Sequence, residues 1–328
     1  MINQTRRKVI GTAALISLVG VKDAFAQSSF PNRSIRIVVP YPGGDGTDVI
    51  TRLLAQQMSK DLKVPVVIEN RPGAAGLTGA LYVAAGAADG YTLCMMASGH
   101  ITHQTLYKKF DLLGQFAPIT NMATAPFAFI VPPDSPYRTL ADLLKAIKDQ
   151  PGRITMGTGG LGSPAQMAFE VFRTSLGVSL EINHIPYKSG LESTLAVVAN
   201  QIDFASAYIG SVLPLAKAGK VRVLAMTSAK RLPGLPDAPT VAELVLPNWE
   251  YNTLLFYGVP RKTPPEIVAV LFKAMTEAAK SPELGAMLDS LAHTLQLNKS
   301  PAEFEQQLRV AIETETKLIR DRNIKVDS

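Results

Sequence analysis

From Ser34 onward, short apolar, β-branched runs alternate with amphipathic stretches, and glycine-rich breaks separate them. That rhythm leaves few architectures open. Each strand reaches the next through a helical crossover, so neighbouring strands run parallel and helices cover the sheet. Ile35–Tyr41 reads as the first strand and Pro42-Gly43-Gly44 breaks it. Ile50, Leu53, Leu54 and Met58 then share one helix face. Val64–Glu69 is a second strand, ended by Asn70-Arg71-Pro72-Gly73; a helix follows over Leu77–Ala87, then the Asp89-Gly90 turn and a strand at Tyr91–Ala97.

A second series begins near residue 125. Phe127–Val131 is extended and Pro132-Pro133 stops it. Thr139 is the expected N-cap of a helix to Lys148, with Asp142 three residues on. Strands at Arg153–Thr158, Leu180–Tyr187, Ile202–Tyr208 and Val221–Thr227 alternate with helices at Pro164–Leu176, Leu191–Asn200 and up to Ala218. After Ser228 the order changes: a proline-rich loop, a strand at Asn252–Val259, then helices opening at Pro264, near Glu283 and at Pro301. A late strand with packing helices implies a return to the first unit. The expectation is two α/β domains around an interdomain cleft, residues 27–124 plus 228–328 forming one and 125–227 the other.

Residues 1–26 have the form of an export signal: Arg6, Arg7 and Lys8, an apolar stretch from Val9 to Val21, and Ala24-Phe25-Ala26 as the cleavage pattern. The apolar stretch is shorter than the roughly 20 residues that span a bilayer. Thr5-Arg6-Arg7-Lys8 fits twin-arginine export, and plain secretion fits as well. Cleavage after Ala26 lowers the net charge from +6 to +3, which with 7% aromatic residues does not suggest a nucleic-acid partner. The single cysteine, Cys94, excludes an intrachain disulfide and reads as a buried strand residue.

The segments that could carry chemistry are the turns. Tyr41-Pro42-Gly43-Gly44-Asp45-Gly46-Thr47-Asp48 runs from a strand into a helix, as do Gly73-Ala74-Ala75-Gly76 and Thr158-Gly159-Gly160-Leu161-Gly162-Ser163. Such turns present backbone N–H groups at helix N-termini, where an anion is favoured. The first is neither a Walker loop nor a dinucleotide fingerprint. Asp48 fits either a ligand contact or a first-turn helix acid. The hydroxyls of Thr158 and Ser163 could donate to a carboxylate. All three turns lie at C-terminal ends of expected parallel strands, the edge where open α/β sheets bind ligands. His100 and His103 are spaced for one helix face but have no nearby third metal ligand in sequence. His184 and His293 read as packed or surface residues, and Trp249 as packing. No Gly-x-Ser-x-Gly elbow occurs. Asp45 or Asp48 with His100 is the one acid/base set an enzyme on this architecture could use.

Taken together, Glu69-Asn70-Arg71-Pro72-Gly73-Ala74-Ala75-Gly76, Gly157–Ser163, His184-Ile185-Pro186-Tyr187-Lys188, Gln201-Ile202-Asp203-Phe204 and Leu235–Glu243 resemble the Bug-type (TctC-like) receptors of tripartite tricarboxylate transporters. The resemblance implies a type II periplasmic-binding-protein fold, a small carboxylate ligand, membrane transporter components as partners, and no enzyme activity. The protein is expected to be a periplasmic monomer without cofactor or metal. The alternatives are a ligand sensor for a two-component system and, behind it, an enzyme on the same fold. By resemblance the ligand is held by Tyr41, Gly44, Asp45, Gly46, Thr47, Asp48, Ala74, Ala75, Gly76, Ser98, His100, Thr158, Gly159, Gly160 and Ser163, with Tyr187 and Asp203 nearby. Gly43 and Asp45 stand where the family has Pro and Gly, and Ser189 where Gly is usual. A carboxylate at position 45 would repel a second ligand carboxylate.

Overall fold

Ten strands and their helices follow the alternation closely in the computed structural model, which describes residues 30–44, 46–107 and 110–321. The expected export signal and Asp45 lie outside the described residues. In chain order the elements are β1 (Ile35–Val39), α1 (Gly46–Leu62), β2 (Val66–Asn70), a 3-10 turn (Ala74–Gly76) running into α2 (Leu77–Ala84), β3 (Thr92–Ala97), α3 (Gly99–Leu106), α4 (Leu112–Gln115) and β4 (Phe116–Val131). Then come α5 (Leu140–Asp149), β5 (Thr155–Thr158), α6 (Pro164–Ser175), β6 (Asn183–Pro186), α7 (Gly190–Val198), β7 (Phe204–Tyr208), α8 (Ile209–Lys217) and β8 (Arg222–Met226). The chain ends with α9 (Val241–Leu244), β9 (Asn252–Pro260), α10 (Pro265–Ala278), α11 (Pro282–Ser290), β10 (Thr294–Leu295) and α12 (Pro301–Asp321).

The strand order is β2-β1-β3-β9-β4-β7-β5-β6, with β8 and β10 also on β4. β1 is parallel to β2 and β3, and β5 is parallel to β6 and β7. β9 inserts antiparallel between β3 and β4, so the late strand does return to the first series. β4 joins the two parallel groups: Phe116–Pro126 pairs with β9, and Phe127–Val131 pairs with β7 and β8. The sequence reading found only its last five residues. The missed part carries Pro118, Thr120, Asn121, Thr124 and Pro126, poor strand signals, and its ladder slips register beside Pro118 and Asn121. Such irregularities bend a strand, and the sheet curls here into two halves.

Helices cover both faces of each half. Ile50, Leu54 and Met58 of α1 lie fully buried on Ile35, Ile37 and Val39, as their spacing requires. Each such side chain contributes about 1.5–3 kcal/mol of burial. The Thr139–Asp142 capping box forms at the start of α5. Cys94 is buried and free. Trp249 packs on Phe172 and donates its indole N–H to Ser175 Oγ. The two chain crossings between the halves are stitched together: Phe127 N donates to Thr227 Oγ1 at 2.8 Å, Thr227 N to Phe127 O at 2.9 Å, and Tyr251 N to Thr227 O at 2.9 Å.

Candidate ligand-binding site

The C-terminal ends of β1, β2 and β3 open into the first-half turns. Asp48 sits in the first turn of α1 with its carboxylate 2% exposed. It accepts from Gly44 N at 2.8 Å, Arg52 Nε at 2.8 Å and Asn70 Nδ2 at 2.8 Å. Burial pushes its pKa up, but the hydrogen bonds from Arg52, Gly44 and Asn70 outweigh that and hold it below the usual carboxylate range. Asn70 Nδ2 also donates to Tyr41 O at 3.1 Å. One carboxylate and one amide thus tie the first turn to the end of β2. Of the two roles open to Asp48, the geometry displays the structural one.

Tyr41, Gly76 and His100 come together. Gly76 has φ +99°, and a Cβ there would lie 3.0 Å from His100 Cε1 and 3.3 Å from the Tyr41 hydroxyl. Only glycine fits both that backbone and that gap. His100 Nε2 lies 3.4 Å from Gly76 O, and its Nδ1 is beside the Ala97 backbone. Burial pulls the His100 pKa down to about 4, with smaller opposing effects from those backbone contacts. Burial, then the His100 ring beside it, takes His103 to about 3. The rings stand 5.8 Å apart, edge to face. Among the described residues, no third His, Cys, Asp or Glu joins them to make a metal cluster. Both are neutral at physiological pH. The arginines attached to these turns are engaged as well, Arg52 by Asp48 and Arg71 by Glu69.

In the second half, β5 and β6 open into matching turns. Gly159 lies against the start of α7, where a Cβ would come within 2.8 Å of Gly190 N. Tyr187 N donates to Thr158 O at 2.9 Å, closing the Tyr187 turn onto the Gly159-Gly160 turn. Helix caps occupy the small hydroxyls: Ser163 accepts from Gln166 N and Ser189 from Glu192 N. Thr158 is fully buried, with its hydroxyl 2.7 Å from His184 Nε2 and 3.1 Å from Gly160 O. The Thr158 hydroxyl is turned to His184 and Gly160, whereas Ser163, whose oxygen accepts in the cap, keeps its own O–H as a donor. Ser98 is likewise committed, its Oγ accepting from Leu254 N at 2.8 Å.

The two sets of turns face one another. A Cβ on Gly99, at the start of α3, would meet Pro164 at the start of α6 at 3.6 Å, and Gly162 abuts Leu106. Asp203 does not join them. It precedes β7, at the opposite edge of the sheet, and its Oδ2 accepts from Thr155 N at 2.8 Å and Thr155 Oγ1 at 2.6 Å. There it lines a separate cavity of about 180 Å³ with Tyr137 and Asn200. A strand's first residue lies on the edge away from the parallel-strand mouths, so Asp203 could not have lined them. Sequence reasoning passed over Leu291, whose side chain approaches Gly46 at the start of α1 to within 3.8 Å of an added Cβ. The segment carries no glycine signal and is distant in the chain.

A family model described as tripartite tricarboxylate transporter family receptor matches residues 50–324. The chain belongs to that family. Among curated relatives, a protein of Pseudomonas sp. (strain P51) known by its place in the tcbD-tcbE intergenic region is 31% identical over 88% of this chain and 86% of its own length. The protein BugT of Bordetella pertussis is 30% identical over 85% and 86%. Among solved structures, the periplasmic binding protein BugD is 27% identical with TM-score 0.77, covering 90% of this chain and 99% of its own. A protein of R. palustris solved with adipate has 29% identity, TM-score 0.79 and the same coverage. MatC of Rhodopseudomonas palustris, solved with malate, has 26% identity, TM-score 0.75, and covers 88% of this chain and 100% of its own. The fold is that of the periplasmic binding proteins. Members of this tripartite tricarboxylate transporter receptor family are solute receptors, which is the class the sequence reading reached.

Proposed function

We propose that this receptor captures a small carboxylate between its two halves and hands it to the membrane components of a tripartite transporter, with no chemistry on the ligand. The observation that carries the reading is the meeting of strand-to-helix turns from both halves at one edge, backed by the buried, neutral His100 ring and by fixed backbone. Adipate and malate in two relatives support the ligand class. The first carboxylate lies over the amides that open α1 at Gly46–Asp48 and those of Ala74 and Ala75, near Tyr41 and His100. The turns at Thr158–Ser163 and Tyr187 complete the enclosure.

A hydrogen bond to a charged group contributes about 1.5–3 kcal/mol. Four to six of them therefore reach roughly −8 kcal/mol, or micromolar affinity, without a basic side chain. The receptor is exported with cleavage after Ala26. The two bodies read from the sequence, residues 27–124 plus 228–328 and residues 125–227, move as a clamshell, with the stretch through Trp249 riding on the second body by its packing on Phe172, and the receptor works as a monomer. Calorimetric titration of the mature chain against malate, adipate, acidic amino acids and aromatic carboxylates tests this. A Kd in the micromolar range is expected for at least one; a whole panel with no binding at millimolar concentration would sink the reading.

A further inference from the structure

We propose that Tyr208 and His293 form a latch between the halves that sets how readily the receptor closes, which makes them positioning residues for binding; this rests on the clamshell reading above. Tyr208 ends β7, at the ligand edge of the second half, and pairs with Phe127 of β4. His293 follows α11 in the first half, and the next residue, Thr294, pairs with Thr124 of β4. The two side chains reach across the intervening stretch of that one strand. Tyr208 Oη lies 2.6 Å from His293 Nε2.

The direction of the bond follows from its other end. His293 Nδ1 lies 3.0 Å from Leu291 O, a carbonyl that can only accept, so Nδ1 carries the proton. Nε2 therefore holds the lone pair and accepts from the tyrosine hydroxyl. The imidazole is also held firmly. It is 5% exposed, and His293 N donates to Leu288 O at 2.8 Å. Ala292 before it is kept at φ +56°, a left-handed conformation that alanine adopts only when its surroundings impose it. Leu291 rests beside Gly46, so the latch abuts the first ligand turn.

Any rotation that opens the cleft by bending β4 between Thr124 and Phe127 pulls this pair apart. Losing a hydrogen bond of ordinary net strength shifts the open–closed balance about three- to tenfold. Apparent affinity falls by the same factor when the closed form becomes the minor one.

The test is a distance measurement. Nitroxide labels on Lys60→Cys of α1 and Lys217→Cys of α8, both exposed, report the separation of the halves; buried Cys94 does not compete for label. In Tyr208→Phe, which keeps the ring and removes the hydroxyl, the ligand-free distribution is expected to move toward longer distances. Malate or adipate affinity is expected to weaken about three- to tenfold, with the melting curve little changed. His293→Leu gives the same shift, and the double variant adds nothing to either single one. Unchanged distances in either folded single variant would overturn the latch. If wild type bound no member of the carboxylate panel, the site reading would fall instead, while the ligand-free distances would still decide the latch.

Discussion

At the residue scale the proposed binding edge is built by fixing backbone, and the side chains there act mainly on one another. Asp48 holds Gly44 and Asn70, Asn70 holds Tyr41, and Ser98 holds Leu254. Asp48→Asn keeps the size and loses the charge that Arg52 answers, so ligand affinity is expected to fall about tenfold through loosening of the turn, read by calorimetry. Gly76→Ala must force a Cβ against His100 and into a left-handed conformation. A stability loss of about 1–2 kcal/mol in denaturant melts, with tighter binding nowhere in the carboxylate panel, is expected. The glycines of these turns were legible in the sequence because their spacing after strands has a mechanical meaning. The fate of each hydroxyl was not: Thr158 and Ser163 are chemically able donors, and only the fold decides that Thr158 is turned to His184 while the Ser163 oxygen also caps α6.

At the element scale, α12 carries a feature that periodicity does not reveal. Glu315 is buried between α3 and the second chain crossing, with Thr102 Oγ1 donating at 2.7 Å and Tyr251 Oη at 3.1 Å. Burial raises its pKa to about 7, against which the two hydroxyl donors work. The folded state thus binds this proton more tightly than the unfolded chain, whose Glu titrates near 4.3. Stability from this group is present at low pH and is lost as pH rises from about 4.3 to about 7. Glu315→Gln keeps a hydrogen-bonding side chain of the same shape. The variant is expected to match wild type near pH 4.5 and to exceed it by up to about 3 kcal/mol at pH 8, read from melts at both pH values. In the sequence Glu315 is one acid on an amphipathic helix. Its burial follows from α12 meeting both α3 and α6, which no local pattern encodes. β4 was part-hidden for a related reason. A strand covered on both faces need not alternate, and its first eleven residues carry Thr, Asn and Pro among apolar ones, with Asn121 Nδ2 donating to Gln296 O.

At the scale of the whole molecule, the two-series organisation and the return of the late strand were readable because strand–helix alternation fixes handedness and neighbour order. The contacts between the halves were not readable, since they join residues such as Tyr208 and His293 that lie 85 positions apart. A ligand that binds only the folded, closed form must stabilise the entire chain. At a hundred times its Kd it adds about 2.7 kcal/mol, or a melting shift of roughly 5 °C, measurable by thermal scanning with malate or adipate. The shared strand has a further consequence. Because β4 supplies ladder partners to both sheets along one unbroken backbone, neither half owns it. A fragment cut on either side of the strand would leave a naked row of amides and carbonyls down the middle of its neighbour, a template for sticking to other chains. Evolution of this scaffold can therefore exchange loops at the rim freely, whereas the two halves must be inherited as a single indivisible piece.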